Sequence, residues 1–264
     1  MLLMNTLRYY PLALLLLGVF WFWKRDSFQA RRIQPAFPKS RRLYYEFGWS
    51  FSTLLVFVLV GMLSMYLYTL GYSGLYFQID AYGWWYLPVS FVLLVIWHET
   101  WFYWMHRIVH HPRLFKWVHL THHKSVNPSP LAAYSFHPLE AVLEAAYLLL
   151  FVIFVPVHPL VVLLQTLYAM ILNIWAHTGY EFFPAGWTSG RFTKWLNTAT
   201  HHNMHHSHVN CNYGLYFNFW DRVMGTNHSR YTEYFEMIVG RGQTTRTDAA
   251  KVKGTRKTEA LVGP

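Results

Sequence analysis

The sequence predicts an all-α integral membrane protein: a helical bundle of about four to five hydrophobic segments, with a histidine-rich helical cap on its cytoplasmic side. Three observations carry that reading. Charged residues are 13% of the 264 and hydrophobic ones 54%, so the charged fraction is about half that of a soluble domain. Apolar runs near the length needed to cross hydrocarbon recur along the chain, and the loops between them alternate between rich and poor in Lys and Arg. Twelve of the 16 histidines fall in two short stretches, 98–123 and 201–208, where an even scatter would put about two.

Taken in order, residues 7–23 form the first apolar run. No small-residue cleavage site follows it and Lys24-Arg25 closes it, so it is expected to be a retained anchor. Residues 24–42 carry seven basic side chains against the single acid Asp26, which places that loop in the cytoplasm and the amino terminus outside. A second span runs from Gly48 to about Leu70. The loop from Gly71 to Gly83 holds Asp80 and no Lys or Arg, as expected outside. A third span begins at Trp84 and continues through Met105, since about 20 helical residues are needed to cross. After the polar segment Lys124 to Pro130, an apolar hairpin is predicted, Leu139 to Val155 and Leu160 to Ala176, with Pro156 and Pro159 fixing its turn. From Gly179 onward the chain is less apolar and is expected in the cytoplasm. This gives an anchor region at 1–94, a catalytic domain at 95–240 and a disordered tail at 241–264, which has no apolar period.

Composition also excludes partners. The formal net charge of +10 sits in loops and a tail beside apolar runs, which suits anionic lipid headgroups rather than nucleic acid. A single cysteine, Cys211, excludes a disulfide scaffold and a thiolate metal site.

The histidine spacings point to metal. His106 and His110 lie four apart, and His119, His122 and His123 lie at offsets of three and four that stack side chains on one helical face. His202, His205 and His206 repeat the second pattern. Neutral imidazoles without thiolates hold borderline transition metals such as iron, zinc or copper. With His177 emerging from the hairpin on the same side, nine imidazoles (His106, His110, His119, His122, His123, His177, His202, His205 and His206) would converge near the cytoplasmic face. One structural zinc needs four ligands, so nine imply two ions. Nitrogen ligands beside lipid suit oxidation of a C–H bond by dioxygen in a water-excluding site.

The motif order then resembles a family. Tyr103-Trp104-Met105-His106-Arg107 with His110, His119-x-x-His122-His123, Phe136-His137-Pro138, His202-x-x-His205-His206, Asn212-Tyr213-Gly214 and Trp220-Asp221 with Gly225-Thr226 are similar to the sterol desaturase and fatty acid hydroxylase superfamily. The likeness covers roughly residues 95–228, and in motif it is closest to the sterol C5-desaturase branch. The resemblance implies a membrane-bound, O₂-dependent di-iron oxidoreductase that hydroxylates or desaturates a sterol or fatty acyl C–H bond. It further implies two iron ions held by the nine histidines above, and electrons from a separate ferredoxin or cytochrome b5 with its reductase. His177 matches the later histidine of a further pair in many members; Asn173 stands where the earlier one would be.

Other polar residues are expected around the ligands, with His137 and Asn173 open between that place and ligation itself. His98, Glu99, His137, Asn173, His201, Asn212 and Asp221 are candidates for outer partners, because a ligating imidazole usually donates its other N–H to a second group. His208 and His228 could serve likewise, Glu140 and Glu144 are expected to be structural, and His111 and His158 incidental. Two competing readings follow from the same histidines. One is a membrane transition-metal transporter or metal-binding protein; a transporter would place its ligands near the bilayer midplane, often within repeats, and neither pattern is apparent. A zinc protease helix would need a second histidine at 102, where Phe102 stands. The carboxyl terminus lacks a lysine-based retrieval signal, which favours a bacterial inner membrane over the endoplasmic reticulum.

Overall fold

The computed structural model describes residues 1–34 and 36–241, so the expected tail, apart from its first residue Arg241, lies outside the described residues. Its helices are α1 (Leu2–Leu17), α2 (Ser40–Thr69), α3 (Tyr86–Val109), α4 (Pro112–Val118), α5 (Leu120–His123), α6 (Pro138–Phe154), α7 (Pro159–Ala176), α8 (Ala199–His208) and α9 (Phe219–Val223). A last helical stretch covers 231–241. Among the described residues β pairing is limited to three isolated bridges.

The five predicted apolar runs are the five long helices. Three of them are long and apolar enough to cross a membrane: α1 with the π-helical turn Gly18–Trp23 that continues it, α2 and α7. The other two fall short for visible reasons. The last three turns of α3 carry His98, Glu99, His106 and Arg107, and α6 has 17 residues. Large apolar side chains stay exposed along the bundle, among them Leu59 and Met62 on α2, Val92 and Ile96 on α3, and Leu164 and Ile171 on α7. An exposed apolar surface of this extent is what lipid covers. The protein is a membrane protein built of helices.

The structure differs from the sequence expectation at the start of two helices. The first begins at Leu2 rather than residue 7, and its Tyr9, Ala13 and Leu17 form one buried stripe at helical spacing. The second begins at Ser40, about two turns before Gly48, because those turns have partners in the cap. Tyr45 donates to the Thr121 carbonyl at 3.1 Å, and buried Glu46 accepts from Ser129 at 2.5 Å.

The amino-terminal helix is part of the core. Tyr9 donates to the Leu131 carbonyl at 2.8 Å and stacks on Tyr134 with ring centroids 4.5 Å apart, while Trp21 donates to the Thr178 carbonyl at 2.8 Å. Tyr9, Trp21, Leu54, Leu131, Ile174 and Tyr180 share one apolar cluster. It joins α1 and α2 to α7 and to the 3₁₀ turn Pro130–Tyr134, so the anchor and the histidine-bearing region are packed as one body.

One end of the bundle is fixed by the loop between α2 and α3. Gly74 and Val157 pair through Val157 N to Gly74 O at 3.1 Å, and Tyr86 donates to the Pro156 carbonyl at 2.9 Å. A Cβ on Gly74 would sit 2.8 Å from the Val155 carbonyl oxygen, so this contact requires glycine. The loop and the Pro156–Pro159 turn therefore share an end, and the histidines gather at the other. Arg241 reaches the Arg32 carbonyl at 3.4 Å, which brings the end of the described chain beside the basic loop. Reporter fusions after residue 35 and after Gly240 are expected to read the same side of the membrane, and an insertion at Asp80 the opposite side. A shared reading for all three would overturn this arrangement.

Candidate metal centre

All nine predicted imidazoles come together, and the backbone sorts them into two sets. The first is His106, His110, His119, His123 and His205; the second is His122, His177, His202 and His206. Within each set the ring nitrogens lie within 4.8 Å of one another, and every member is buried. His106 and His110 project from one face of the end of α3. The chain then turns at His111, which caps α4 by accepting from Arg113 N at 3.4 Å, and Pro112 sits at the first helical position.

The two His-x-x-His-His boxes split in mirrored fashion. From the α5 region His119 and His123, four apart, enter the first set and His122 the second. From α8 His202 and His206, four apart, enter the second set and His205 the first. Each box therefore serves both sets and holds them together. Ring centroids of His119 and His122 are 5.3 Å apart and those of His123 and His206 5.1 Å, so the sets adjoin.

Fixed hydrogen bonds aim the rings. The Nδ1 of His106 donates to the Tyr213 carbonyl at 2.8 Å, that of His205 to the Cys211 carbonyl at 2.7 Å and that of His177 to the Asn173 carbonyl at 2.7 Å. A carbonyl can only accept, so each of these neutral rings turns a bare Nε2 lone pair inward. Yet Nε2 of His177 stands 3.0 Å from that of His202 and 3.2 Å from that of His206, and the latter two are 3.1 Å apart. Since His177 brings no proton, hydrogen bonds cannot satisfy all three contacts. In the first set the Nε2 atoms of His106 and His119 are 3.1 Å apart and those of His123 and His205 2.9 Å. Both ring nitrogens of His110 are buried without a partner.

A cation resolves this crowding. Ligands at about 2.0–2.1 Å from one metal stand about 2.9–3.4 Å from one another, which matches these contacts. Protons are a poor substitute. Burial, reinforced by neighbouring imidazoles, holds His119, His122, His123, His202 and His206 well below the ordinary histidine range; burial does the same to His205, and pushes His177 down to about 4. The residues present fit two metal ions.

The outer partners differ from those the sequence suggested. Glu140, expected to be structural, bonds His119 Nδ1 through Oε1 at 2.6 Å. Its signal was legible: an acid at the start of an apolar helix is a functional candidate by default. The other acceptors are backbone carbonyls, which no sequence reading could select. Glu99, Asn212 and Asp221 bond no imidazole of the two sets and instead build the loop that carries the Cys211 and Tyr213 carbonyls. Glu99 accepts from Leu215 N at 3.2 Å and Tyr216 N at 2.7 Å, and Asp221 from Tyr213 N at 2.9 Å and Gly214 N at 2.7 Å. Burial raises the Asp221 carboxyl, but the His201 ring 3.4 Å away and bonds from Thr226 and Gly214 outweigh it and hold it at about 2. A Cβ on Gly214 would lie 2.6 Å from the Phe217 carbonyl oxygen, so the Asn-Tyr-Gly motif needs its glycine.

Asn212 adopts a positive φ of 58° and bonds the His201 carbonyl and His228 N. Val209, at φ 65°, ends α8 in a conformation costly for a β-branched residue, and that turn leads into Cys211. His201 lies outside both sets, 3.4 Å from Asp221. His137 caps α6 beside Trp49 and also lies outside. The Asn173 side chain donates to the Ala133 carbonyl at 2.8 Å, so this residue reaches the second set through its backbone. His98 accepts from Tyr216 Oη at 2.6 Å at Nδ1 and stacks on Tyr147 at 3.7 Å, away from the nine.

A cavity of about 330 Å³ opens beside the sets, lined chiefly by apolar side chains of α1, α2, α6 and α7. At its inner end Phe102 packs on His106 with centroids 5.0 Å apart, Phe136 on His122 at 5.1 Å, and Asn173 meets His177. One layer of side chains thus separates the cavity from both sets.

The family model for fatty acid hydroxylase matches residues 91–226, which holds both boxes, the Asn-Tyr-Gly turn and Asp221. The chain belongs to the fatty acid hydroxylase family. Among the relatives of this family member are a Delta(7)-sterol 5(6)-desaturase of Gibberella zeae, 33% identical over 62% of this chain and 49% of the relative, and one of Aspergillus fumigatus, 31% identical over 73% and 51%. Lathosterol oxidase of Homo sapiens is 32% identical over 59% of this chain and 51% of its own length. The chain spans about half the length of the curated relatives it matches. No solved structure matches it.

Loss of Glu140 separates outer support from ligation. Glu140→Gln is expected to weaken metal binding about 10- to 100-fold, with the fold retained by circular dichroism, whereas His111→Ala is expected to leave metal content unchanged. Equal metal affinity in wild type and Glu140→Gln, measured by competition with a chelator, would remove Glu140 from the centre.

Proposed function

We propose that the chain is a membrane-bound, O₂-dependent di-iron oxidoreductase that hydroxylates or desaturates a C–H bond of a lipid, a sterol or a fatty acyl chain. The observation that carries this reading is an apolar cavity that lies one layer of side chains from two adjoining all-imidazole sets. An ion pathway has no use for a hydrocarbon-lined chamber, and a structural zinc has no use for nine ligands. The relatives named as sterol desaturases and a sterol oxidase support the same reaction class.

The catalytic domain spans 95–240, and α1 and α2 complete its cavity wall. His106, His110, His119, His123 and His205 would hold one iron, and His122, His177, His202 and His206 the other. When bound, the iron pair would supply the electrons that activate dioxygen, the oxidant, for attack on the C–H bond. The protein contributes position and exclusion. Phe102 and Phe136 form the partition against which a substrate carbon rests, and the apolar lining keeps water from the oxidant. Glu140 holds the proton of His119 Nδ1 and keeps that ring's Nε2 turned inward. The carbonyls of Tyr213, Cys211 and Asn173 do the same for His106, His205 and His177.

Electrons come from a separate ferredoxin, or a cytochrome b5 with its reductase. The site faces the cytoplasm, where the basic loop 24–42 lies, and the membrane is a bacterial inner membrane or, in a eukaryote, the endoplasmic reticulum.

Elemental analysis of the detergent-purified protein tests the centre. About two irons per chain are expected, with a clear fall in His122→Ala and in His205→Ala. One zinc that survives both substitutions would overturn the reading. Incubation with lathosterol and with a fatty acyl lipid, under ¹⁸O₂ with a reductase system, is expected to give a product two mass units lighter or one carrying a single ¹⁸O, and neither product in His122→Ala.

A further inference from the structure

The cavity contains a carboxyl that the metal centre leaves unused. Glu144 on α6 lines it, is 9% exposed, and makes no hydrogen bond or ion pair among the described residues. Of the other polar liners, Arg8 bonds Asn5 but leaves its Nε without a partner, Thr166 donates to the Leu163 carbonyl, Asn173 donates to the Ala133 carbonyl, and the Tyr134 hydroxyl makes no hydrogen bond among the described residues. A polar group buried without a partner is destabilising, so its retention in an apolar chamber needs a reason.

We propose that Glu144 anchors a hydroxyl group of the lipid that enters this cavity, and so selects alcohol-bearing lipids and sets which end faces the metal. This rests on the proposed lipid oxidation at the same site. The geometry gives the orientation. Glu140, which touches His119, is one turn away on the same helix, about 6 Å along its axis. The anchor is therefore close to the reacting end. The lining then continues along α7 from Asn173 back to Pro159, about 21 Å of helix, through Met170, Ala169, Leu163 and Val162. A lipid with its hydroxyl at Glu144 would lay its hydrocarbon along that apolar stretch.

The chemistry of the partner follows from the carboxyl. An uncharged carboxyl offers one O–H donor and a carbonyl acceptor, and an alcohol offers the matching acceptor and donor. A hydrocarbon satisfies neither and leaves the carboxyl unpaired. An alcohol on a sterol ring and one on a linear chain would engage it alike, and the shape of the cavity decides between them.

Equilibrium binding to the purified, iron-loaded protein tests the proposal, with two probe pairs: lathosterol and its 3-deoxy hydrocarbon, and hexadecanol and hexadecane. The quantity read is the ratio of alcohol to hydrocarbon affinity in wild type divided by that ratio in Glu144→Leu, which cancels partition into detergent. A quotient of about ten to a hundred in at least one pair is expected, with the preference largely restored in Glu144→Gln, whose amide also donates and accepts. Unchanged iron content and thermal midpoint in both variants exclude a general structural defect. The pair with the larger quotient identifies the source of the hydroxyl. A quotient near one, with alcohols bound, overturns the anchor and leaves lipid oxidation standing. Failure of wild type to bind any of the four probes overturns both.

Discussion

Three imidazoles give their Nδ1 protons to backbone carbonyls that cannot return them, and this commits their Nε2 lone pairs to the interior of the protein. The rest of the structure depends on that constraint. Lone pairs about 3 Å apart repel unless a cation lies among them, and burial holds the cap histidines below the range in which protonation would help. The carbonyls must therefore be placed accurately. Asp221 and Glu99 achieve this by gathering the amides of 213–216, and a helix carbonyl four residues back does so for His177. The acids nearest the centre in sequence thus hold loops, while Glu140, from a neighbouring helix, touches a ring.

The two imidazole sets are inseparable by construction. Each His-x-x-His-His box sends two rings four residues apart to one set and the intervening ring to the other. A shift of α5 or α8 would disturb both sets at once. On the proposed function, two ions would act together at the boundary between the cap and the apolar cavity, where a lipid carbon would approach without water. The amino-terminal helices belong to the same unit. Tyr9 and Trp21 tie α1 to the segments that flank the second set, and α1 and α2 form cavity wall.

The bilayer explains the remaining asymmetry. Helices α3 and α6 are less suited to span alone than α1, α2 and α7, because they carry the polar residues that the centre and cavity require. Packing against the more apolar helices shelters those residues. Their cost in lipid is accepted where they meet protein, metal or the cavity, which is where polar groups in membrane helices acquire function.

By itself the sequence determined the helical membrane class, the hairpin with its proline-bounded turn and the nine imidazoles, because hydropathy, proline geometry and helical periodicity are local properties. Helix starts were less legible: Ser40 begins α2 because Tyr45 and Glu46 find partners far away in sequence, at Thr121 and Ser129. Only the tertiary structure decided how the histidines divide between two sets, since spacings of three and four leave each ring's destination open. It also decided the roles of Glu140 and Glu144, one turn apart on α6 and equivalent in sequence: the first meets His119, while the second faces the cavity without a partner. The physical reason is the same throughout. Which neighbour a buried polar atom meets is set by packing between helices distant along the chain, and no local pattern encodes it.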